Sequence, residues 1–237
     1  MINVSVAMAT YNGERYIKEQ IESILKNLKE NDELVISDDG STDKTIDIIN
    51  SFNDSRIKLV SGPRKGIKQN FNNAIINTNG EYIFLSDQDD IWIDNKVEIV
   101  LNELSKRDYI LIQHDAIVVD ENDNILYDSF AEHRKVKTGI IKNLIKNSYH
   151  GCCIAFKKSL IKEITPIPND IYLHDQWIGM IAEVNGKTKF ISNKLIKYRR
   201  YDGNNSSFTH LPFRKQLKNR IEYIKSLIRY KRKKSRG

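Results

Sequence analysis

The sequence predicts an α/β fold with a largely parallel sheet, and three observations lead there. Over the first hundred residues, short apolar runs alternate with stretches of helical period. Strands and helices of these lengths in alternation mark βαβ units. The apolar runs end in polar clusters: Thr10-Tyr11-Asn12, Asp38-Asp39 and Asp87 to Asp90. Ligands of parallel sheets collect outside the carboxyl ends of the strands, so the three clusters converge on one edge.

The elements follow in order. Val4 to Ala9 is an apolar strand, and Ile17, Ile21, Ile24, Leu25 and Leu28 form the stripe of a helix. Leu34 to Ile36 is the next strand, followed by a helix marked by Ile46, Ile49 and Phe52, then a strand over Ile57 to Val60. Gly66 to Ile76 predicts a helix and Tyr82 to Ser86 a strand. The second half is less regular. Strands are expected at Ile110 to His114, Ile117 to Val119 and Gly151 to Phe156, with residues 127–150 as a loop. A helix near Lys157 to Ile164, a helix opening at Leu173-His174-Asp175-Gln176-Trp177, and strands near 189–191 and 195–198 complete the body.

Composition narrows the classes. The formal charge is +7, yet eleven of the 38 Lys/Arg and one of the 31 acids lie from Arg214 onward. The tail is therefore +10 and the preceding residues −3, so a nucleic-acid reading rests on the tail alone and no nucleic-acid partner is expected. No apolar run approaches the roughly 18 residues that span a bilayer, and Met1-Ile2-Asn3 leads into a strand without a leader pattern. Cys152 and Cys153 are adjacent, too close for an ordinary bridge, and read as reduced apolar strand residues in a cytoplasmic protein.

The run Tyr82 to Asp90 carries the sharpest chemical signal. An apolar strand stops in three carboxylates spaced D-x-D-D, which repel one another until a cation neutralises them. Mg²⁺ or Mn²⁺ on a diphosphate suits such a site, because both take oxygen ligands from a few carboxylates and from substrate phosphates. In extended chain Asp87 and Asp89 project to one side and can face one ion. A solvated acidic turn is the alternative reading of the motif alone.

Four motifs occur in register: A-T-Y-N-G-E at 9–14, S-D-D-G-S-T-D at 37–43, L-S-D-Q-D-D-I-W at 85–92 and H-D-Q-W at 174–177. Together they resemble the family 2 glycosyltransferases of GT-A fold, in a bacterial rhamnosyltransferase-like branch, over roughly residues 1–205. The resemblance implies inverting, metal-dependent transfer of a sugar from a UDP- or dTDP-linked donor to a saccharide or lipid-linked acceptor. It places Thr10, Tyr11, Asn12, Glu14, Asp38 and Asp39 with the nucleotide, Asp87 with ribose and metal, and Asp89 with the metal. A cap on the following helix competes for Asp38 and Asp39, and core packing competes for Tyr11. Asp175 matches the position of the base that deprotonates the acceptor, although an Asp at a helix start also caps amides. Arg199 and Arg200 are expected as diphosphate clamps, with solvated surface arginines as the alternative. Where the branch shows Y-R-Q-H-x-x-N, this chain has Tyr198-Arg199-Arg200-Tyr201, so Tyr201 replaces a histidine; Gly203-Asn204-Asn205 suit a closing loop.

A sugar nucleotidyltransferase also uses carboxylates and Mg²⁺, but Thr10 to Arg15 lacks the Gly-rich basic loop it needs. The expected division is a GT-A domain over 1–210, with a nucleotide half (1–105) and an acceptor half (106–210), then a basic amphipathic helix over 211–237. Phe213, Leu217, Ile221, Ile224 and Ile228 form that helix's apolar stripe among Lys and Arg. The stripe suits the headgroup plane of an anionic membrane, or packing on the body or on a second subunit of a homodimer.

Overall fold

A computed structural model describes residues 3–106, 108–201 and 212–235; the expected Gly203-Asn204-Asn205 loop lies outside the described residues. The first half contains β1 (Val4–Thr10), α1 (Ile17–Asn27), β2 (Glu33–Asp38), α2 (Thr45–Asn50), β3 (Ile57–Ser61), α3 (Ile67–Ile76), β4 (Tyr82–Ser86), β5 (Ile91–Trp92) and α4 (Lys96–Lys106). The second half adds β6 (Tyr109–Val119), β7 (Ile125–Tyr127), α5 (Phe130–Arg134), α6 (Ile140–Ile145), β8 (Ile154–Lys157), α7 (Ile161–Ile164), α8 (His174–Asn185), β9 (Lys187–Arg199) and α9 (Phe213–Lys234).

The sheet runs β3-β2-β1-β4-β8-β6-β9-β5, with β7 paired to β6. β3, β2, β1 and β4 are mutually parallel, while β8 is antiparallel to both β4 and β6. The mixed sheet thus joins a parallel nucleotide-type half to an irregular second half. Helices cover both faces, so β1 and β2 are buried along their whole length and are mostly apolar rather than alternating. On one face α1 and α4 bury Ile17, Ile21, Ile24, Val97, Val100 and Leu104. On the other α3, α8 and α9 bury Phe71, Ile75, Ile178, Ile181 and Tyr223. Each such aliphatic or aromatic side chain contributes about 1.5–3 kcal/mol of burial.

Three expectations are corrected. The two strands expected around residues 110–119, and the two around 189–198, are single long strands, because β6 and β9 pair in parallel through register shifts near His114 and Asp115. The expected loop over 127–150 contains α5 and α6. Ser129 caps α5 by accepting Glu132 N at 3.0 Å, and Asp115 accepts Ala131 N at 2.8 Å. Gly151 to Cys153 is a 3-10 turn rather than the start of a strand. No helix among the described residues is long and apolar enough to cross a membrane.

Candidate active site

The registers carry the polar clusters to one edge. Thr10 lies beside Asp38, and Met8 beside Ser86, so the ends of β1, β2 and β4 are neighbours. Gln88 ties two of them together: its Oε1 accepts Thr10 Oγ1 at 2.6 Å and Tyr11 N at 2.9 Å, and its Nε2 donates to Tyr11 O at 3.2 Å. A Cβ at Gly13 would come within 2.6 Å of Gln88 Oε1 and push the amide off its bonds to Thr10 and Tyr11. From α1, buried Gln20 donates to Ser86 Oγ at 2.7 Å and to Asp87 O at 2.9 Å. Tyr11 is exposed at the end of β1.

The turn after β2 is locked to the turn after β1. Asn12 Oδ1 accepts Thr42 N at 2.9 Å while Asn12 N donates to Ser41 Oγ at 2.9 Å. Glu14 and Asp43 exchange similar bonds, Lys44 N to Glu14 at 3.0 Å and Glu14 N to Asp43 at 3.1 Å. Both expected nucleotide residues, Asn12 and Glu14, therefore hold loops. Asp38 is buried and its carboxylate accepts Gly40 N at 3.0 Å, Ser41 N at 2.8 Å and the Ser41 hydroxyl. Gly40 sits at φ +96°, a conformation that favours glycine. Asp39 is half-buried and accepts Gly66 N at 2.7 Å, which makes it the more open carboxylate of the pair.

The acidic turn is bent, so side-chain alternation does not hold beyond Ser86. Asp87 converges with Asp90 and with Cys152, their ligand atoms lying within 4.8 Å of one another. Cys152 lies in the 3-10 turn rather than in the strand expected for it. Burial, then the charges of Asp89 and Asp175, push the Asp87 carboxyl up to about 7. Burial and the charges of Asp89 and Asp87 hold Asp90 well above its usual range; one oxygen accepts Arg199 N at 3.1 Å and the other has no partner. Asp89 accepts the Tyr201 hydroxyl at 2.9 Å, and Tyr201 packs on Tyr16 at 4.9 Å between centroids. Beneath the turn, fully buried Lys96 sits 3.8 Å over the Trp92 ring and donates to Cys152 O at 3.0 Å. Burial lowers its ammonium to about 8. Lys96 and Gln88 give no sequence signal beyond a charge at a helix start and a polar letter between acids.

Crowded carboxylates whose charged forms are disfavoured by burial and by one another, one with an orphaned buried oxygen, fit a hard divalent cation. Asp87 and Asp89 supply oxygen donors of the type that Mg²⁺ and Mn²⁺ select.

Asp175 lies across this edge at the start of α8. It is buried, accepts Gln176 N at 2.6 Å and Asn147 Nδ2 at 3.4 Å, and burial pushes its carboxyl up to about 7. Desolvation outweighs the helix dipole, which favours the charged form. Its charge acts on Asp87, and a Cβ at Gly151, next to the Cys152 that converges with Asp87, would lie 3.8 Å from Asp175 Cβ. Neighbouring His174 stacks on Phe71 at 4.2 Å and is held neutral by burial, its pKa down at about 3. Trp177 packs in the core and donates to Ile164 O at 3.0 Å. His114 and Asp115 lie inside the fold: His114 Nδ1 lies 2.7 Å from Asp115 O while its buried Nε2 has no partner, and Asp115 accepts the Ser129 hydroxyl at 2.6 Å.

The two arginines separate. Arg199 is buried; its guanidinium pairs with Glu19 at 2.7 Å and Asp123 at 3.4 Å and lies 4.5 Å over Tyr16. Both ion pairs run through Nη2, while the buried Nε has no partner. Arg200 is half-buried, with Nη1 3.0 Å from the Tyr198 hydroxyl.

Known proteins match this arrangement. The family model for glycosyl transferase family 2 covers residues 5–165. The chain is 31% identical over 187 residues to an Escherichia coli UDP-Glc:alpha-D-GlcNAc-diphosphoundecaprenol beta-1,3-glucosyltransferase, WfgD, covering 77% of this chain and 71% of that one. It is 28% identical to the dTDP-rhamnosyl transferase RfbG of Shigella flexneri, over 89% of this chain and 77% of that one. Among solved structures, Staphylococcus aureus TarS 1-349 with UDP-GlcNAc superposes at TM-score 0.69 and 20% identity. The Pyrobaculum calidifontis mannosyltransferase PcManGT with GDP-Man and Mn²⁺ superposes at 0.63 and 20% identity. These two matches cover 89% and 99% of this chain but only 62% and 64% of the solved chains, and at that identity they establish the GT-A fold alone. The matched family model, which spans most of the α/β body, and the 31% identical relative decide the question: this chain is a glycosyltransferase and belongs to glycosyl transferase family 2.

Proposed function

We propose that the chain transfers a sugar from a UDP- or dTDP-linked donor to a hydroxyl of a lipid-linked saccharide, with inversion at the anomeric carbon, in the synthesis of a surface polysaccharide. One observation carries this reading: Asp175 is a buried carboxylate at the start of α8, near enough to the acidic turn for its charge to act on Asp87, and burial pushes its own carboxyl up to about 7. A base poised near the working pH accepts a proton most effectively.

Asp175 takes the proton from the acceptor hydroxyl as that oxygen bonds to the anomeric carbon from the face opposite the diphosphate. The bond from anomeric carbon to diphosphate oxygen breaks, and its electron pair leaves with the nucleoside diphosphate. The bond from Gln176 N to Asp175 fixes the carboxylate at the start of α8, and Asn147 supports it from the side. Tyr11 and Asp39 at the ends of β1 and β2 bind the nucleoside, the ring by stacking and the base edge by an acceptor oxygen. Arg200 steadies the diphosphate. Asp87 and Asp89 would hold Mg²⁺ or Mn²⁺, which would supply positive charge against the departing diphosphate.

The names of the relatives support the donor and acceptor classes: WfgD is a UDP-Glc transferase acting on a diphosphoundecaprenol-linked sugar, and RfbG a dTDP-rhamnosyl transferase. The test is a thermal-shift panel of UDP- and dTDP-sugars with Mn²⁺, followed by transfer to undecaprenyl- or short-chain polyprenyl-diphosphate sugars. Ligand binding raises apparent stability by mass action. Stabilisation by one donor family and transfer lost in Asp175→Asn support the reading; no response to any nucleotide sugar overturns it.

A further inference from the structure

We propose that α6 and α9 together form a face that seats on an anionic lipid bilayer. The attachment of α9 to the body uses a different face from its apolar stripe. Tyr223, Ser226 and Leu227 are buried, and the Tyr223 hydroxyl exchanges two hydrogen bonds with the Leu173 backbone, at 2.8 and 2.7 Å. Asp170 holds Ser226 at 3.3 Å and also Arg229. The stripe that periodicity singles out stays in solvent: Phe213 is 71% exposed, and Leu217, Ile221, Ile224 and Ile228 lie between 43% and 46%. A water-soluble helix packed by one face rarely leaves a second apolar stripe uncovered along its length without a partner.

A second helix extends the patch. Arg220, which lies on α9 between the buried face and the stripe, donates to Ile145 O at 2.8 Å and draws α6 along the stripe's flank. There Ile141 and Ile145, one turn apart, are 75% and 63% exposed. Lys142 and Lys146 sit between and beside them. Beyond the stripe on α9, Arg214, Lys218, Lys225 and Arg232 form the next row round the helix, and the helix's one acid, Glu222, pairs with Lys225 at 3.1 Å.

An apolar strip bordered by cations matches acyl chains beneath anionic headgroups. A second copy of the chain fits less well, because a two-fold pairing through this face sets like-charged rows against each other. RNA or DNA would satisfy the cations and leave the isoleucines in water. The face also lies close to the cleft, since Tyr223 grips the residue immediately before His174-Asp175. A lipid-linked acceptor would therefore enter from the surface on which the protein sits; the docking itself does not depend on the transfer reading, and its test reads binding rather than turnover.

The experiment is co-flotation of the full chain with vesicles of phosphatidylglycerol mixed equally with phosphatidylcholine, and with pure phosphatidylcholine, at low and high salt. The pairs Ile141→Glu with Ile145→Glu, and Leu217→Glu with Ile221→Glu, test the two helices. The exposed pair Arg214→Gln with Lys218→Gln tests charge without touching packing. Circular dichroism and thermal midpoints check the fold of each. The proposal expects wild type to float only with anionic vesicles and to release as salt rises, with each pair weakening partition by about tenfold or more. It is overturned if wild type ignores anionic vesicles at low salt, or if folded variants from both helices bind like wild type. Sedimentation showing a dimer that the Glu pairs dissociate, with no vesicle binding, would assign the face to a second copy.

Discussion

The hydroxyl of Tyr201 donates to Asp89 Oδ2 at 2.9 Å, at the position where the resembling branch carries a histidine. A phenol is a poor substitute for imidazole as a ligand, and burial with the nearby Asp89 charge holds this one protonated far above neutrality. On the proposed reading its work is to orient the carboxylate, as groups hydrogen-bonded to metal ligands do. Tyr201→Phe keeps the contact with Tyr16 and loses only the bond. The expected result is an unchanged thermal midpoint with Mn²⁺ affinity weaker by about tenfold, read by titration calorimetry. Equal Mn²⁺ affinity in wild type and variant would remove Tyr201 from the cation's surroundings.

Asp89→Ala should abolish Mn²⁺-dependent stabilisation by UDP or dTDP while the fold persists, because removing one of three crowded carboxylates relieves repulsion. A melt in which Mn²⁺ and nucleotide stabilise the variant as much as wild type would exclude Asp89 as a ligand.

Asp175→Asn preserves shape and the bond from Gln176 N, but an amide cannot take the acceptor's proton. Donor binding should persist while turnover falls by about a hundredfold or more. The wild-type rate should rise with pH through about 7, as the Asp175 carboxyl loses its proton, and then level off. A rate that is flat across this range, or an active Asn variant, would return Asp175 to a structural role.

The same carboxyl makes a stability prediction of opposite sign. Its folded pKa is raised from 3.8 to about 7, so the folded state binds the proton more tightly than the unfolded chain. The contribution to stability is full below the unfolded pKa and is lost as pH climbs towards the folded one. At about 1.4 kcal/mol per pKa unit, ionising Asp175 costs on the order of 2–4 kcal/mol by about pH 8. Asp175→Asn should therefore melt several degrees above wild type at about pH 8 and close to it at about pH 4. Identical melting differences at both pH values would show that the carboxyl is not desolvated.

The nucleotide half was legible because period and strand-end chemistry are local. Val4 to Ala9, Leu34 to Ile36 and Tyr82 to Ser86 are each buried on both faces, and each ends where a turn residue must follow. Asp175 stood out through H-D-Q-W in register with the other motifs, and the fold buries it at the start of α8. The long pairing of β6 with β9 was not legible, since it joins Tyr109 to Lys187 across a sequence gap that no window spans. Lys96 looks like a surface charge in sequence, and only the tertiary fold buries it under the acids. The tail stripe was legible as apolar, yet Tyr223 and Leu227, on a neighbouring face, make the contact with the body.

Arg199 and Arg200 are adjacent and indistinguishable in sequence, and the fold sends them to opposite tasks. Arg199 is a buried cation held by Glu19, Asp123 and the Tyr16 ring, and its backbone N–H satisfies one oxygen of Asp90. Truncating one member of a buried ionic group leaves its partners uncompensated, which costs about 3–5 kcal/mol when both are fully desolvated. Glu19 is half exposed here, so Arg199→Ala should cost less, about 2 kcal/mol. Donor affinity of the folded fraction should stay near wild type. Arg200→Ala should do the reverse, melting like wild type while weakening UDP or dTDP binding by about tenfold, the loss of one charge-assisted contact to a phosphate. Titration of both variants with the nucleotide, at a temperature where each is folded, decides between them. Weakened binding in Arg199→Ala alone would restore the clamp to Arg199 and require its pair with Glu19 to open when the donor enters.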